Sequence, residues 1–248
     1  KNEKLIENLK IDLIINVKAY TNVENAELDK LKVDELNVKF VKQLATISKT
    51  KQIPLIHISS DFIFDGKSNK PYLENSKTNP VNYYGLSKVK GENLIKKIAF
   101  RFLIIRTSKL FSEVGDNFIK RMIKHVKNNQ QLNYIDDEYF CPTYSFDLAR
   151  LILLIIPKIK KLKKSKIYHF TGDEKFTPYK IIKLISQILL KQKKIKKIKL
   201  HISGEKDLEL LAKRPKYAIL SNHSINQFIK IKRTPIITAI KKVISNEN

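Results

Sequence analysis

Tyr84 and Lys88 stand four residues apart in Asn82-Tyr83-Tyr84-Gly85-Leu86-Ser87-Lys88, where a polar loop runs into an amphipathic segment. On a helix, positions i and i+4 share a face, so the ammonium lies about one turn from the phenol. A phenol with an ordinary pKa of about 10 exchanges protons poorly at neutral pH. A neighbouring cation is expected to lower that value, and a ribose hydroxyl of a bound nucleotide would relay protons between the two groups. The spacing alone equally describes the solvated face of any lysine-rich helix. Ser60 supplies a third group, a hydroxyl at the end of an expected strand, although alone it reads as the cap of a turn. A hydroxyl donor beside a lysine-tuned tyrosine can polarise a carbonyl and protonate its oxygen. That set suits hydride transfer from a nicotinamide, where the forming alkoxide must receive a proton.

These groups need elements to position them. Residues 3–10 read as the end of an amphipathic helix, Ile11–Asn16 as a buried strand, and Val23–Thr50 as helical. Ile53–Ile58 is a second buried strand, running into the polar Ser59-Ser60-Asp61. A loop over Asp65–Asn82 precedes a helix from the tyrosine motif to about Ala99, and Phe102–Arg106 makes a third strand. Strands alternating with helices predict an α/β fold, a doubly wound parallel sheet. Chemistry in such sheets gathers at the carboxyl ends of the strands. Asn16, Ser59, Ser60, Asp61, Thr107 and Ser108 all fall there.

Past Asp116 the pattern loosens into a smaller α+β part. Helices are expected over Asn117–Asn128, over Ser145–Ile156 (capped from Thr143 or Ser145), from Pro178 to Leu190, and over Pro235–Ile244. Strands are expected over Leu132–Ile135, Ile167–Phe170 and Ile195–Ile202, with a basic turn at Lys158–Lys166. The division is residues 1–115 for a cofactor part and 116–248 for a substrate part, with the chain free to cross back.

The chain has 248 residues, 42% of them hydrophobic, enough for one large domain or two modest ones. Its formal charge of +25 invites a nucleic-acid reading, but the lysines are spread over every segment rather than gathered in a stripe. A phosphorylated small molecule is the better partner; neither nucleic acid nor membrane is expected. One cysteine, Cys141, excludes an internal disulfide framework and, without a His/Cys cluster, argues against metal. The longest apolar run, Leu151–Ile156, is far short of the ~20 residues that cross a bilayer. A cytoplasmic setting follows. The chain opens at Lys1 without a methionine, as though inside a helix, which suggests sequence upstream.

Three blocks resemble the dTDP-4-dehydrorhamnose reductase family, a branch of the extended short-chain dehydrogenases. They are Ile58-Ser59-Ser60-Asp61-Phe62-Ile63-Phe64-Asp65-Gly66, Pro71-Tyr72-Leu73-Glu74, and Asn79 through Glu92. The resemblance extends over nearly the whole chain, through Asn16–Glu27, Arg106-Thr107-Ser108, Asp137–Thr143 and Arg214-Pro215. It implies a Rossmann-like fold, NADPH or NADH as cofactor, a dTDP-linked 4-keto-6-deoxyhexose as substrate, and a homodimer. Ser60, Tyr84 and Lys88 would be catalytic. Asn16, Ala19, Tyr20, Thr21 and Ser59 would lie along the cofactor with Tyr84 and Lys88. Ser60, Asp61, Pro142, Thr143 and Arg214 would meet the substrate, Arg214 at its diphosphate. The related regulatory β-subunit of methionine adenosyltransferase offers a non-catalytic alternative, which the intact Ser60, Tyr84 and Lys88 disfavour. A sugar-nucleotide dehydratase would want an acid where Phe62 stands.

The family opens on a Gly-rich strand–turn–helix that cradles a pyrophosphate. None of the six glycines here has that spacing, so the first βαβ element is expected to be missing and this chain to hold a dinucleotide weakly. Lys18 replaces a small residue against the cofactor, Lys109 an aromatic of the sugar pocket, and Phe140 a glycine.

Overall fold

A computed structural model describes residues 10–128, 132–159, 164–197, 200–202 and 210–246. The helix end expected over residues 3–10 lies outside this range except for Lys10.

Four parallel strands form the main sheet in the order β1-β2-β3-β8: β1 (Ile14–Asn16), β2 (Pro54–Ser60), β3 (Arg101–Thr107) and β8 (Lys166–His169). Pairing Ser60 with Thr107 and Arg106 with His169 aligns the carboxyl ends of the three longer strands. Near-continuous apolar sequence in β2 and β3 requires cover on both faces. One face receives Val41, Leu44 and Ala45 of α3 (Phe40–Lys51) and Ile95 of α4 (Tyr83–Ile98), against Leu55 and Ile104. The other receives Leu148, Leu151 and Ile155 of α6 (Ser145–Ile159) and Ile225 of α8 (His223–Phe228), against Ile56, Leu103 and Ile105. The chain thus crosses back after residue 116 to finish the sheet.

A separate apolar core joins α5 (Phe118–Lys127), α7 (Pro178–Lys191) and α9 (Ile236–Ser245), with Ile119, Ile123, Ile181, Ile185, Ile240 and Val243 inside it. Thr177 caps α7 through a hydrogen bond from the Lys180 amide, with Pro178 at its first turn.

The continuous helix expected over Val23–Thr50 is instead broken. It comprises α1 (Asn25–Leu28), α2 (Lys30–Asp34), a π-helical turn at Glu35–Lys39, and α3. Asp29 leaves the helical region (φ −110°, ψ 60°), and its carboxylate caps α2 by accepting from the Lys32 amide at 3.1 Å. Helix α6 runs on to Ile159, with Pro157 in its last turn. The Thr143 hydroxyl does not cap it, lying against the Cys141 carbonyl and the Thr107 hydroxyl. Of the strand expected over Ile195–Ile202, only β9 (Leu200–Ile202) is formed among the described residues, paired with β5 (Leu132–Tyr134). Two-residue pairings of β4 (Leu110–Phe111) with β7 (Thr143–Tyr144), and of β6 (Tyr139–Phe140) with β10 (Tyr217–Ala218), are additional. Among the described residues no helix is long and apolar enough to cross a membrane.

Candidate active site

A cleft of about 820 Å³ opens at the carboxyl ends of β2 and β3, and Ser60, Tyr84 and Lys88 all line it. Strand β2 ends in a 3-10 turn (Asp61–Ile63) that Ser60 caps, its Oγ accepting from the Phe62 amide at 3.2 Å. The same hydroxyl donates to Asp61 Oδ1 at 3.0 Å, and Ser108 donates to Asp61 Oδ2 at 2.5 Å. Burial raises the Asp61 carboxyl above its usual range, opposed by the Ser108 hydrogen bond and the Lys109 charge.

The start of α4 is fixed from three sides. Asn82 is its extended N-cap, with Oδ1 accepting from the Gly85 amide at 2.8 Å. Glu27 accepts from the Tyr83 amide at 2.7 Å, and Asn82 Nδ2 donates to the Lys213 carbonyl at 2.7 Å. Gly85 lets the helix lie directly on the 3-10 turn: a Cβ there would be 2.1 Å from the Phe62 carbonyl oxygen. That contact places Tyr84 beside Ser60, its ring edge-on to Phe62 with centroids 5.7 Å apart.

The expected tuning of Tyr84 by Lys88 is corrected here. The phenol is pushed up to about 12, chiefly by burial, with the Asp61 charge adding and a hydrogen bond with Ser60 opposing. Lys88, 3% exposed, donates its Nζ to the Ile58 carbonyl at 2.8 Å. Burial lowers its ammonium to about 8, against the stabilising charge of Glu92 one turn on. An ammonium carries three donors, so Lys88 retains capacity toward the cleft.

Behind Lys88 lies an ion pair. Arg106 grips Glu92 bidentately, Nε to Oε1 at 2.9 Å and Nη2 to Oε2 at 2.8 Å, and donates to the Glu74 carbonyl at 3.0 Å. Burial alone would raise the Glu92 carboxyl, but the Arg106 hydrogen bonds and charge outweigh it and hold it near 2. Asn37, buried in the π-helical turn, forms a second tie. Its amide accepts from the Tyr20 N–H at 2.9 Å and donates to the Tyr20 carbonyl and the Ser87 hydroxyl. The sequence motifs give no role to Arg106, Glu92 or Asn37. A charged side chain inside the apolar run of β3, and a glutamate four residues after Lys88, were the available signals for the ion pair.

Other expected site residues divide. Ala19, Thr21, Ser59, Asp61 and Arg214 line the cleft. Asn16 does not: its amide nitrogen lies 2.9 Å from His57 Nδ1 and its oxygen accepts from the Lys18 amide, so it serves the strand end. Tyr20 is held through its backbone and is outside the cleft lining. Pro142 and Thr143 line a different cavity of about 160 Å³, because pairing of β7 with β4 turns them away; only the Thr143 hydroxyl reaches back, 3.2 Å from that of Thr107. Arg214 is engaged by Glu24 at 2.5 Å and lies 4.0 Å from Glu138. Lys18 is exposed and stacks over Phe40 rather than entering the cleft. Lys109 (φ 39°) lies over the rings of Phe140 and Phe62, so two of the departures from the family pattern pack on each other. Burial raises the Cys141 thiol to about 12, leaving it unreactive. No group of three metal-ligating side chains occurs among the described residues.

A parallel sheet covered on both faces, with serine, tyrosine and lysine gathered at its strand ends, defines a Rossmann-like α/β protein of the short-chain dehydrogenase type. The chain belongs to the RmlD substrate binding domain family, whose pattern matches residues 1–248. It is 37% identical over 155 residues to a dTDP-4-dehydrorhamnose reductase of Aggregatibacter actinomycetemcomitans, covering 62% of this chain and 53% of that protein. It is 35% identical over 144 residues to one of Sinorhizobium fredii, covering 58% and 49%. The match therefore spans about half the length of these relatives. The fold superposes on a dTDP-4-dehydrorhamnose reductase ortholog of Clostridium acetobutylicum with a TM-score of 0.87 at 28% identity, over 98% of this chain and 83% of that one.

Proposed function

We propose that the protein reduces the 4-keto group of a dTDP-linked 6-deoxyhexose with NADPH or NADH, as the names of its relatives indicate for them. The observation that carries this reading is the convergence of Ser60, Tyr84 and Lys88 on one cleft at the strand ends. Residues present fit the nicotinamide–ribose half of the cofactor: Lys88 faces the cleft with donors to spare, and Ala19, Thr21 and Ser59 line the wall beside it. The glycine pattern of a pyrophosphate cradle does not occur in this sequence.

When bound, the nicotinamide supplies a hydride to the carbonyl carbon. The chain handles the oxygen. Tyr84, held near 12, is fully protonated at neutral pH and is therefore an acid in waiting. Its proton passes to the oxygen as negative charge develops there, and the Ser60 hydroxyl, rotated from Asp61, donates to the same atom. The phenolate left behind is one helical turn from Lys88, which shares its face of α4. Residues 1–115 act in this proposal as the cofactor part and 116–248 as the substrate part, in a cytoplasmic homodimer. Incubating the gene product with NADPH and dTDP-4-keto-6-deoxy sugar is expected to consume cofactor and sugar in equal amounts. No consumption with either NADPH or NADH would sink the reading.

A further inference from the structure

The cavity of about 160 Å³ that takes in Pro142 and Thr143 shares no lining residue with the cleft. Phe170 comes to it from the main-sheet core, and Phe111, Phe176 and Ile236 come from the second core. Its walls are fixed. A Cβ on Gly172 would stand 2.2 Å from the Pro142 carbonyl oxygen, so those two segments meet backbone to backbone. Asp147 accepts from the Thr234 amide at 2.7 Å and the Thr234 hydroxyl at 3.0 Å, tying the turn before α9 to α6. Beside the rings stands a buried cation. The Arg233 side chain is 6% exposed, and its guanidinium lies over Phe170, 4.6 Å from the ring centre. Nη1 pairs with Asp173 at 3.1 Å and Nη2 donates to Asn226 at 3.0 Å, but Nε is buried and makes no hydrogen bond. A buried donor left unmade is costly, and the carboxylates lining the cavity do not answer it. Asp147 is taken up by Thr234 and Arg150, while Asp173 is 61% exposed and Glu174 is exposed as well.

We infer that this cavity is a binding site for a small monocarboxylic acid with a ring-sized apolar body, held by Arg233 through its Nε–H and covered by the phenylalanine rings. An apolar cavity of about 150 Å³ holds a molecule the size of benzene, so the space here suffices for one ring with its carboxylate at Arg233. A carboxylate fits better than a neutral carbonyl for two reasons. A charge-assisted hydrogen bond is roughly twice as strong as a neutral one, and only an anion also offsets a buried positive charge whose ion-pair partner stands in water. Binding involves no covalent step. The site goes beyond the proposed reduction and does not depend on it.

The test is calorimetric titration of the protein with benzoate, together with NMR magnetisation transfer from the benzoate ring protons. One saturable site is expected, with a dissociation constant of about 1 mM or below and transfer to the ring protons of Phe170 and Phe176. Benzyl alcohol, which keeps the ring and loses the charge, is expected to bind about tenfold more weakly. Arg233→Gln lowers benzoate affinity about tenfold or more. Arg121→Gln, which removes a cation from the catalytic cleft instead, leaves it unchanged. Absence of saturable binding to the wild type overturns the inference. So does benzyl alcohol binding as tightly as benzoate, undiminished affinity in Arg233→Gln, or a loss that follows Arg121→Gln. Should Arg233→Gln not fold, the wild type decides: benzoate that transfers no magnetisation to Phe170 and Phe176 overturns the inference as well.

Discussion

Lys88 loses its proton at about pH 8 in the folded protein, against 10.5 for an unperturbed lysine, because burial penalises the cation. Its charge is therefore complete below that value and gone above it, while Tyr84 stays protonated throughout. The rate constant kcat/KM for the keto sugar is expected to fall above about pH 8 with a one-proton limb, and a pH–rate profile checks it. Lys88→Met should lower the rate and abolish the limb; a limb that survives belongs to another group. At this scale the sequence singled out three side chains that the structure brings to one cleft, since they fall at a strand end and in the first turns of a helix. It misread the electrostatics. The i, i+4 spacing says nothing of burial, nor that the Ile58 carbonyl draws the ammonium. Pro142 and Thr143, expected at the substrate from the family resemblance, line another cavity beside the two-residue pairing of β7 with β4, which carries no periodic signal.

Helix α4 is the element on which the site depends, and its contacts give two predictions. Gly85→Ala sets a Cβ against the Phe62 carbonyl, so the helix start must back away from the 3-10 turn. The expected cost is about 1–3 kcal/mol of stability, read from the denaturant midpoint, with loss of turnover because Tyr84 leaves Ser60. A variant as stable and active as the wild type would show that this contact does not set the site. Glu92, farther along the same helix, is held near 2 by Arg106. A depressed carboxylate contributes stability that is fully present above its unfolded value and lost as pH falls from about 4.5 towards 2. Glu92→Gln leaves the Arg106 cation buried without its partner, costing about 3–5 kcal/mol at neutral pH. It should also flatten the acid limb of a melting-temperature profile in that window. Helix α4 was legible where the polar loop runs into an amphipathic segment at the tyrosine motif; its Asn82 cap came from the structure. The break of the Val23–Thr50 helix at Asp29 was not, because Asp29 departs from helical geometry within an otherwise helical pattern. Asn37 owes its role to tertiary packing alone.

Across the molecule, the main sheet is closed by elements from both halves of the chain, with α6, β8 and α8 returning after residue 116. The parallel order and the doubly covered sheet followed from alternating strands and helices; the small sheets around the second core did not. Leu110 of β4, Phe118 and Arg121 of α5, and the paired Glu24 and Arg214 complete the lining of the cleft. In the proposed reaction this cleft delivers a proton from Tyr84 to a carbonyl oxygen. Its most direct measurement is single-turnover reduction of dTDP-4-keto-6-deoxy sugar by NADPH in the gene product, wild type against Tyr84→Phe. The expected result is a rate lower by about 10²–10⁴-fold in the variant, with dTDP affinity unchanged. A Tyr84→Phe protein that reduces the sugar at the wild-type rate would contradict it.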